Sequence, residues 1–218
     1  MGLVPLEAML LAGRHYLTSQ GKTTGVPDEE LVHVAMESLG LNDVSSFNPE
    51  ERIVEYRLEQ KGKLVSKSVI AFTDELSVDS PAPGGGSVSA LMGALGAALI
   101  SMVAALTHSK KGMEDVRGEM GEMGGQAQHL KDRLAFLVDE DTAAFNDVMA
   151  AFRMKKRTDE EKHARNQAIQ TATKEATQIP MEVCRLCFEA MELSHICLLY
   201  TSDAADERSS VDLGGRRI

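Results

Sequence analysis

The sequence predicts a mostly all-α protein, and three observations carry that expectation: an uncharged run of small residues, a long regular apolar stripe, and an aromatic content of only 4% with no Trp. Thirty consecutive residues, Ser80 to Ser109, contain no Asp, Glu, Lys or Arg in a chain that is 26% charged. A run that apolar has to be hidden from water, and its length alone passes the ~18 to 20 residues of a membrane span. Its composition argues for burial in protein instead. Small residues recur four apart in two neighbouring rows, Gly86, Ala90, Ala94, Ala98 and Gly93, Ala97, Ser101, Ala105, which lets another helix backbone come close. Basic residues, Lys110 and Lys111, follow one end only, and the rest of the chain reads as water-soluble, so no membrane span is expected.

The other elements follow in order. Leu6 to Gln20 reads as an amphipathic helix with Leu6, Met9, Leu10, Gly13, Tyr16 and Leu17 on one side. Pro27 and the acidic Asp28, Glu29 and Glu30 open a second helix, which Gly40 closes after Leu39. Asn48-Pro49-Glu50-Glu51 starts a short element through Ile53, Val54 and Tyr56. The polar stretch from Glu59 to Lys63 reads as a linker, and Ser66 is expected to cap a helix through Val69, Phe72 and Leu76.

After the uncharged run, Val116, Met120, Met123, Ala127, Leu130, Leu134, Leu137, Asp141, Ala144, Val148 and Ala151 keep a strict 4-3-4-3 spacing, which predicts one helix of ~40 residues with a single face toward a partner. Asp141 sits inside that row, whereas Asp139 and Glu140 point elsewhere. Glycines at 118, 121, 124 and 125 each cost about 1 kcal/mol against Ala in a helix interior, so this start is either loosely formed or closely packed. Thr158 with Glu161 three positions later is a capping box that opens another helix. Pro180 is expected to kink or interrupt it before Met181 to Leu193 continues in the same style.

The last segment is of another kind. Cys197-Leu198-Leu199-Tyr200-Thr201-Ser202-Asp203-Ala204-Ala205-Asp206-Glu207, running on to Ile218, resembles a translated sequencing-library adapter. One ordinary codon choice spells that adapter, so residues 197–218 are expected to be a disordered, adapter-derived tail outside the fold.

Bulk properties exclude several function classes. A formal charge of -10 and a pI near 5.1 disfavour general nucleic-acid binding, which needs a basic face. The start, Met1-Gly2-Leu3-Val4-Pro5, lacks a basic signal region, and three cysteines suit a reducing cytosol, so a cytoplasmic location is expected.

Four features bear on chemistry. The loop Pro81-Ala82-Pro83-Gly84-Gly85-Gly86-Ser87 opens the small-residue helix, and its exposed amides suit either a tight packing turn or a carboxylate or other anion. It lacks the Lys-Ser/Thr ending of a P-loop and the G-x-G-x-x-G spacing of a dinucleotide site. Asp141, on an apolar row, has to be paired, hydrogen-bonded or protonated, and is either an acid-base group or a structural one. Arg153-Met154-Lys155-Lys156-Arg157 and Lys110-Lys111 fit a polyanion or a solvated turn equally. Cys184-Arg185-Leu186-Cys187 is a lone CxxC, read as two core cysteines on one helix face, and no metal site is expected.

Taken together, Ser77-x3-Pro81-x-Pro83-Gly84-Gly85-Gly86-Ser87, the small-residue helix, Leu106-Thr107-x2-Lys110-Lys111, the run from Leu137 to Phe145, and Thr158-x-Glu160-Glu161-Lys162 with Pro180 resemble the cyclodeaminase/cyclohydrolase family. The upstream segment, Gly2 to Leu6 through Pro49 to Tyr56, resembles the end of a formiminotransferase domain. That order is the order of the bifunctional formimidoyltransferase-cyclodeaminase family. It implies a division at 1–58 for the transferase end, 59–66 for a linker and 67–196 for a truncated antiparallel helical bundle of the cyclodeaminase type, preceded by a small helical remnant of an α/β transferase subdomain.

The resemblance implies folate chemistry. The family's transferase half moves a formimino group from N-formimino-glutamate, a product of histidine breakdown, to tetrahydrofolate. Its cyclodeaminase half closes 5-formimino-tetrahydrofolate to 5,10-methenyl-tetrahydrofolate and releases ammonia. Holding both ends of one molecule supplies most of the advantage, and one positioned acid-base group moves the protons. Asp141 is the first choice for that group and Asp139 the second. Gly84, Gly85, Gly86 and Ser87, with Lys110, Lys111 and Arg165 for the glutamate tail, are the expected contacts of a polyglutamylated folate. A homo-oligomer joined through the small-residue helix is expected.

This chain departs from the family pattern at Ser109, where relatives carry Gly, and at Met154-Lys155, where they carry Leu-Pro. The transferase's catalytic part and the family's later helices with a Ser-Asp signature are absent. The 218-residue chain is therefore expected to be a fragment truncated at both ends, without a complete active site. Alternatives are a methenyl-tetrahydrofolate cyclohydrolase on the same helical domain, or a non-enzymatic helical oligomerisation module.

Overall fold

The computed structural model describes residues 2–44, 46–58, 64–79 and 82–209. They form helices α1 (Leu6–Ser19), α2 (Asp28–Ser38), α3 (Leu41–Val44), α4 (Pro49–Arg52), α5 (Val54–Leu58), α6 (Val69–Ser77), α7 (Gly85–Ser109), α8 (Arg117–Arg153) and α9 (Asp159–Ser209), with a single 3-10 turn at Glu114–Val116. Among the described residues extended pairing is confined to one isolated parallel bridge, Val4 with Ile53, so the all-α expectation holds.

By its contacts the chain divides into two compact units. The first comprises Met1–Gln60, Ala97–His129 and Met191–Ile218. Here α1 and α2 pack face to face because Gly13 has no side chain: a Cβ there would overlap the Leu31 carbonyl oxygen and lie 2.9 Å from its carbon. Met9, Val32, Ala35, Met36, Phe47 and Ile53 make the local core. The start of α1 is held from a distance, its Leu6 N–H donating to Glu55 Oε2 at 2.7 Å, and Gly40 ends α2 with φ +61°.

The glycines of α8 are also settled in this unit. A Cβ on Gly25 would stand 2.7 Å from Gly124 Cα, and Ser101, 2% exposed, donates to the carbonyl of Gly25 at 3.2 Å or of Gly124 at 3.4 Å while accepting from Gln128 Nε2 at 2.9 Å. Close packing is therefore the reason for glycine at 124, whereas 118 and 125 face open space.

The second unit comprises Lys61–Gly96 and Leu130–Ala190. Ser87 meets Thr142 and Gly93 meets Leu134, so α7 and α8 run antiparallel; Arg165 meets Phe152 and Arg133 meets Glu182, so α8 and α9 do too. The predicted stripe of α8 is buried in this unit at Leu130, Leu134, Leu137 and Ala151, as it is in the first unit at Met120, Met123 and Ala127, all under 9% exposed. Thr158 and Glu161 exchange the capping-box bonds at 3.2 and 3.4 Å.

Several expectations are corrected. Ser68, not Ser66, caps α6, its Oγ accepting from Ala71 N–H at 3.2 Å. Pro180 lies inside α9 without ending it. The helix also runs on through Ser209, so Cys197–Ser209 is helical where a disordered tail was expected: Ala204, Ala205, Glu207 and Arg208 are good helix formers, and no Gly or Pro intervenes. Residues 210–218, and 59–63 of the expected linker, lie outside the described residues; Leu64, the next position, is packed and only 4% exposed.

Candidate functional site

The N-terminus of α7 is built by its glycines. Gly84 C=O accepts the helix's first bond from Val88 N–H at 3.2 Å, and the first turn of α7 contains no acidic residue of its own. The neighbouring helix supplies one. A Cβ on Gly86 would lie 2.5 Å from Asp141 Cγ and 2.6 Å from Oδ2, so the carboxylate of α8 rests directly on the glycine backbone. A helix N-terminus carries partial positive charge and favours a carboxylate there. The carboxylate expected on the stripe therefore stands at the glycine-opened start of α7.

Ser87 completes it. It is fully buried, and its Oγ stands 2.9 Å from Val138 O, 3.0 Å from Asp141 Oδ2 and 3.2 Å from Thr142 Oγ1. Expected as a ligand contact, Ser87 faces α8 instead. Gly84 and Gly85 retain open space around them. Asp141 itself is half-buried, because the apolar stripe loosens beyond Leu137 and Ala144 and Val148 are half-buried as well.

The second-choice acid has another task. Asp139 Oδ1 accepts from Leu64 N–H at 2.7 Å and Oδ2 from Val65 N–H at 3.5 Å, tying the segment before α6 to α8. Arg165 is likewise engaged: Nε and a terminal nitrogen donate to Phe152 C=O at 3.3 and 3.1 Å, and the guanidinium stands 5.7 Å over the Phe152 ring. It caps the end of α8. Lys110 and Lys111 are exposed in the turn after α7 and belong to the first unit, whereas Asp139, Asp141 and Arg165 belong to the second.

The run Arg153 to Arg157 is exposed, as a solvated turn would be. The two cysteines of the CxxC are not both core residues: Cys184 is exposed, while Cys187 Sγ would meet a Cβ on Gly93 at 2.6 Å. Among the described residues no group of three or more His, Cys, Asp or Glu is placed to hold a metal ion.

One feature had no signal in sequence. In the first unit a cleft of about 540 Å³ is lined by Leu17, Lys22, Thr23, Glu30, His108 and Arg117 among others. Burial and the Arg117 guanidinium hold the His108 imidazole below its usual pKa. Its residues are scattered over 100 positions, which is why no local motif announces it.

An antiparallel helical module, with a glycine-opened helix set against a carboxylate from its neighbour, defines a helical domain with a built polar site. The chain belongs to the formiminotransferase-cyclodeaminase family, whose model matches residues 68–206, while the formiminotransferase domain matches residues 1–59. It is 34% identical over 186 residues to formimidoyltransferase-cyclodeaminase of Rattus norvegicus, covering 84% of this chain and 34% of that one. For the Gallus gallus protein of the same name the figures are 38% over 184 residues, 83% and 34%. A methenyltetrahydrofolate cyclohydrolase of Methylorubrum extorquens is 40% identical over 131 residues, covering 60% of this chain and 63% of that one. The solved formiminotetrahydrofolate cyclodeaminase of Thermotoga maritima aligns with a TM-score of 0.48 at 29% identity, over 63% of this chain and 75% of that one. The chain spans about a third of the length of the bifunctional relatives it matches.

Proposed function

We propose that this chain is part of a bifunctional folate enzyme of histidine degradation, and that its helical part serves the cyclodeaminase reaction. The observation that carries the reading is Asp141 lodged on Gly86 at the start of α7, within the segment matched by the formiminotransferase-cyclodeaminase family. Ring closure requires folate N10 to bond the amidine carbon of 5-formimino-tetrahydrofolate and to give up its proton. The departing nitrogen has to gain protons before it leaves as ammonia. A half-buried carboxylate is suited to carry the N10 proton to the departing nitrogen, which takes its second proton from solvent water and so leaves as ammonia. Gly84 and Gly85, where a side chain would meet open space, are left to a polyglutamylated folate, while Asp139 and Arg165 bond the protein's own backbone and Ser87 bonds Asp141.

The test is Asp141→Asn in the full-length gene product. Methenyl-tetrahydrofolate formation should fall by about a hundredfold or more, the usual worth of a general acid-base group, with the fold unchanged by circular dichroism. Wild-type turnover by the variant would end the assignment.

The M. extorquens likeness supports a second reading, cyclohydrolase activity on 5,10-methenyl-tetrahydrofolate. The transferase segment at 1–59 favours the bifunctional reading. Ammonia release from the formimino substrate, against hydrolysis of the methenyl compound, separates them.

The oligomer is proposed on a different face from the one the sequence suggested. Ala90, Ala94, Ala97, Ser101 and Ala104 of α7 are buried within the chain itself. Left outside are Met92, Leu95, Leu99, Met102 and Leu106, between 51% and 67% exposed and spaced 3-4-3-4. This helix is apolar and long enough to cross a membrane by composition, yet only 28% of its apolar window is buried. A second copy of the chain is the occupant proposed: the stripe is uncharged throughout and complementary to itself under a two-fold. A cytosolic location is proposed on the odd count of three cysteines, which suits a reducing compartment.

A further inference from the structure

The Ser87 hydroxyl has one hydrogen and three oxygen neighbours within 3.2 Å. Val138 O is a carbonyl and only accepts; Thr142 Oγ1 accepts or donates; Asp141 Oδ2 accepts when ionised and donates when it carries the proton. Two complete arrangements follow, without moving a heavy atom. With Asp141 ionised, Ser87 donates to Oδ2 at 3.0 Å, and Thr142 donates to Ser87. With Asp141 protonated, Asp141 donates to Ser87 Oγ, and the Ser87 hydrogen turns to Val138 O at 2.9 Å. No buried side-chain polar atom among the described residues lacks a partner in the structure.

We infer that Ser87 is a positioning residue: its hydroxyl rotates between Asp141 and the Val138 carbonyl, so that the Asp141 carboxyl is hydrogen-bonded in the same place in both protonation states. The inference rests on the reading of Asp141 as the proton-transfer group. Ser87 gains and loses no proton; its own hydrogen changes acceptor while the transferred proton stays on or leaves Asp141. Being fully buried, Ser87 acts through Asp141 rather than on the substrate. Gly86 bounds the carboxyl as well, because the carboxylate occupies the space a Cβ on that residue would need. A carboxyl clamped in this way keeps its heavy atoms in place through each half of a proton cycle, only the acid hydrogen turning from Ser87 to the substrate before transfer, and fixed heavy atoms are what preorganisation contributes to a rate.

The experiment measures cyclisation by the full-length gene product in a double-mutant cycle of Ser87→Ala and Asp141→Asn, with Thr142→Val as a second probe that keeps the side-chain shape. Ser87→Ala should lower kcat about tenfold, the worth of one hydrogen bond to a charged group, with KM within about twofold, because the effect is on chemistry and not on binding. In the Asp141→Asn background the same substitution should have no further effect on kcat, as residues acting through one another are not additive. Thr142→Val should lower kcat in the same direction by a smaller factor. Unchanged kcat in both Ser87→Ala and Thr142→Val, a loss confined to KM, or an equal loss in both backgrounds would overturn the role of Ser87. Wild-type turnover by Asp141→Asn would instead overturn the assignment of Asp141, so the two failures read differently.

Discussion

Asp141 lies so close to Gly86 that a Cβ on the glycine would stand 2.5 Å from the carboxyl carbon. That contact joins the first turn of α7 to α8. Gly86→Ala should therefore displace the carboxylate or lift the helix start, at a cost of about 1 to 3 kcal/mol for overpacking. Gly85→Ala, where a Cβ meets open space, is the control. It should hold or raise stability, since Ala is the better helix former by up to ~1 kcal/mol. Denaturant melts of the two variants make the comparison, and equal midpoints would show that the contact is not tight.

The same contact shows what was legible in sequence. The loop of three glycines and the acid on the apolar row were each visible, because each breaks a local pattern. Their meeting depends on the register of α7 against α8, which local periodicity does not carry. The faces of α7 were ambiguous for a related reason. Small residues and large ones both recur along it, and with no charge in the helix nothing marks the solvent side. The α8 stripe was plain because charged residues fill its other faces. Asp139 bonding to Leu64 across 75 positions and Arg165 capping Phe152 are long-range satisfactions of backbone groups, and no spacing rule reaches them.

The exposed stripe of α7 predicts association. Leu99, 60% exposed at the centre of the row, is the residue to change. Leu99→Glu should convert a dimeric or larger species to monomer by light scattering, while monomer stability changes by no more than about 0.5 kcal/mol, as for other surface substitutions. A wild-type chain that is already monomeric at high concentration would remove the second copy as occupant. If it sediments with lipid vesicles instead, the stripe meets a bilayer.

The fork between Arg133 and Glu182, at 2.8 and 2.9 Å, predicts an acid-dependent contribution to stability. The hydrogen bond from Arg133 is the main cause holding the Glu182 carboxyl below its ordinary pKa, with the charges of Arg133 and Arg185 adding to it. A lowered carboxyl pKa means stability that is fully present above the unfolded value, ~4.3 for Glu, and lost as pH falls through the folded one. The side chains are 41% and 30% exposed, so solvent screens the pair and its worth is about 1 kcal/mol or less. Glu182→Gln should lower stability by that amount at pH 7 and by progressively less as pH falls through the folded pKa. A difference that does not shrink with acid would assign the loss to packing rather than to charge.

The thiols test how far α9 packs. Cys184 is exposed, whereas burial raises the pKa of Cys187 and of Cys197, with Cys184 adding to the rise at Cys187. A raised pKa leaves less thiolate at neutral pH, and the thiolate is the reacting form. A small alkylating reagent should therefore modify Cys184 first, with Cys187 and Cys197 slower by both protonation and access, as read by peptide mass spectrometry over time. Cys197 is the informative site. Its Sγ stands 3.9 Å from Met123 Sδ, a contact that exists only if the last part of α9 lies against α8. Should Cys197 label as fast as Cys184, that part of the helix does not stay packed in solution, which is the behaviour its adapter-like sequence led us to expect.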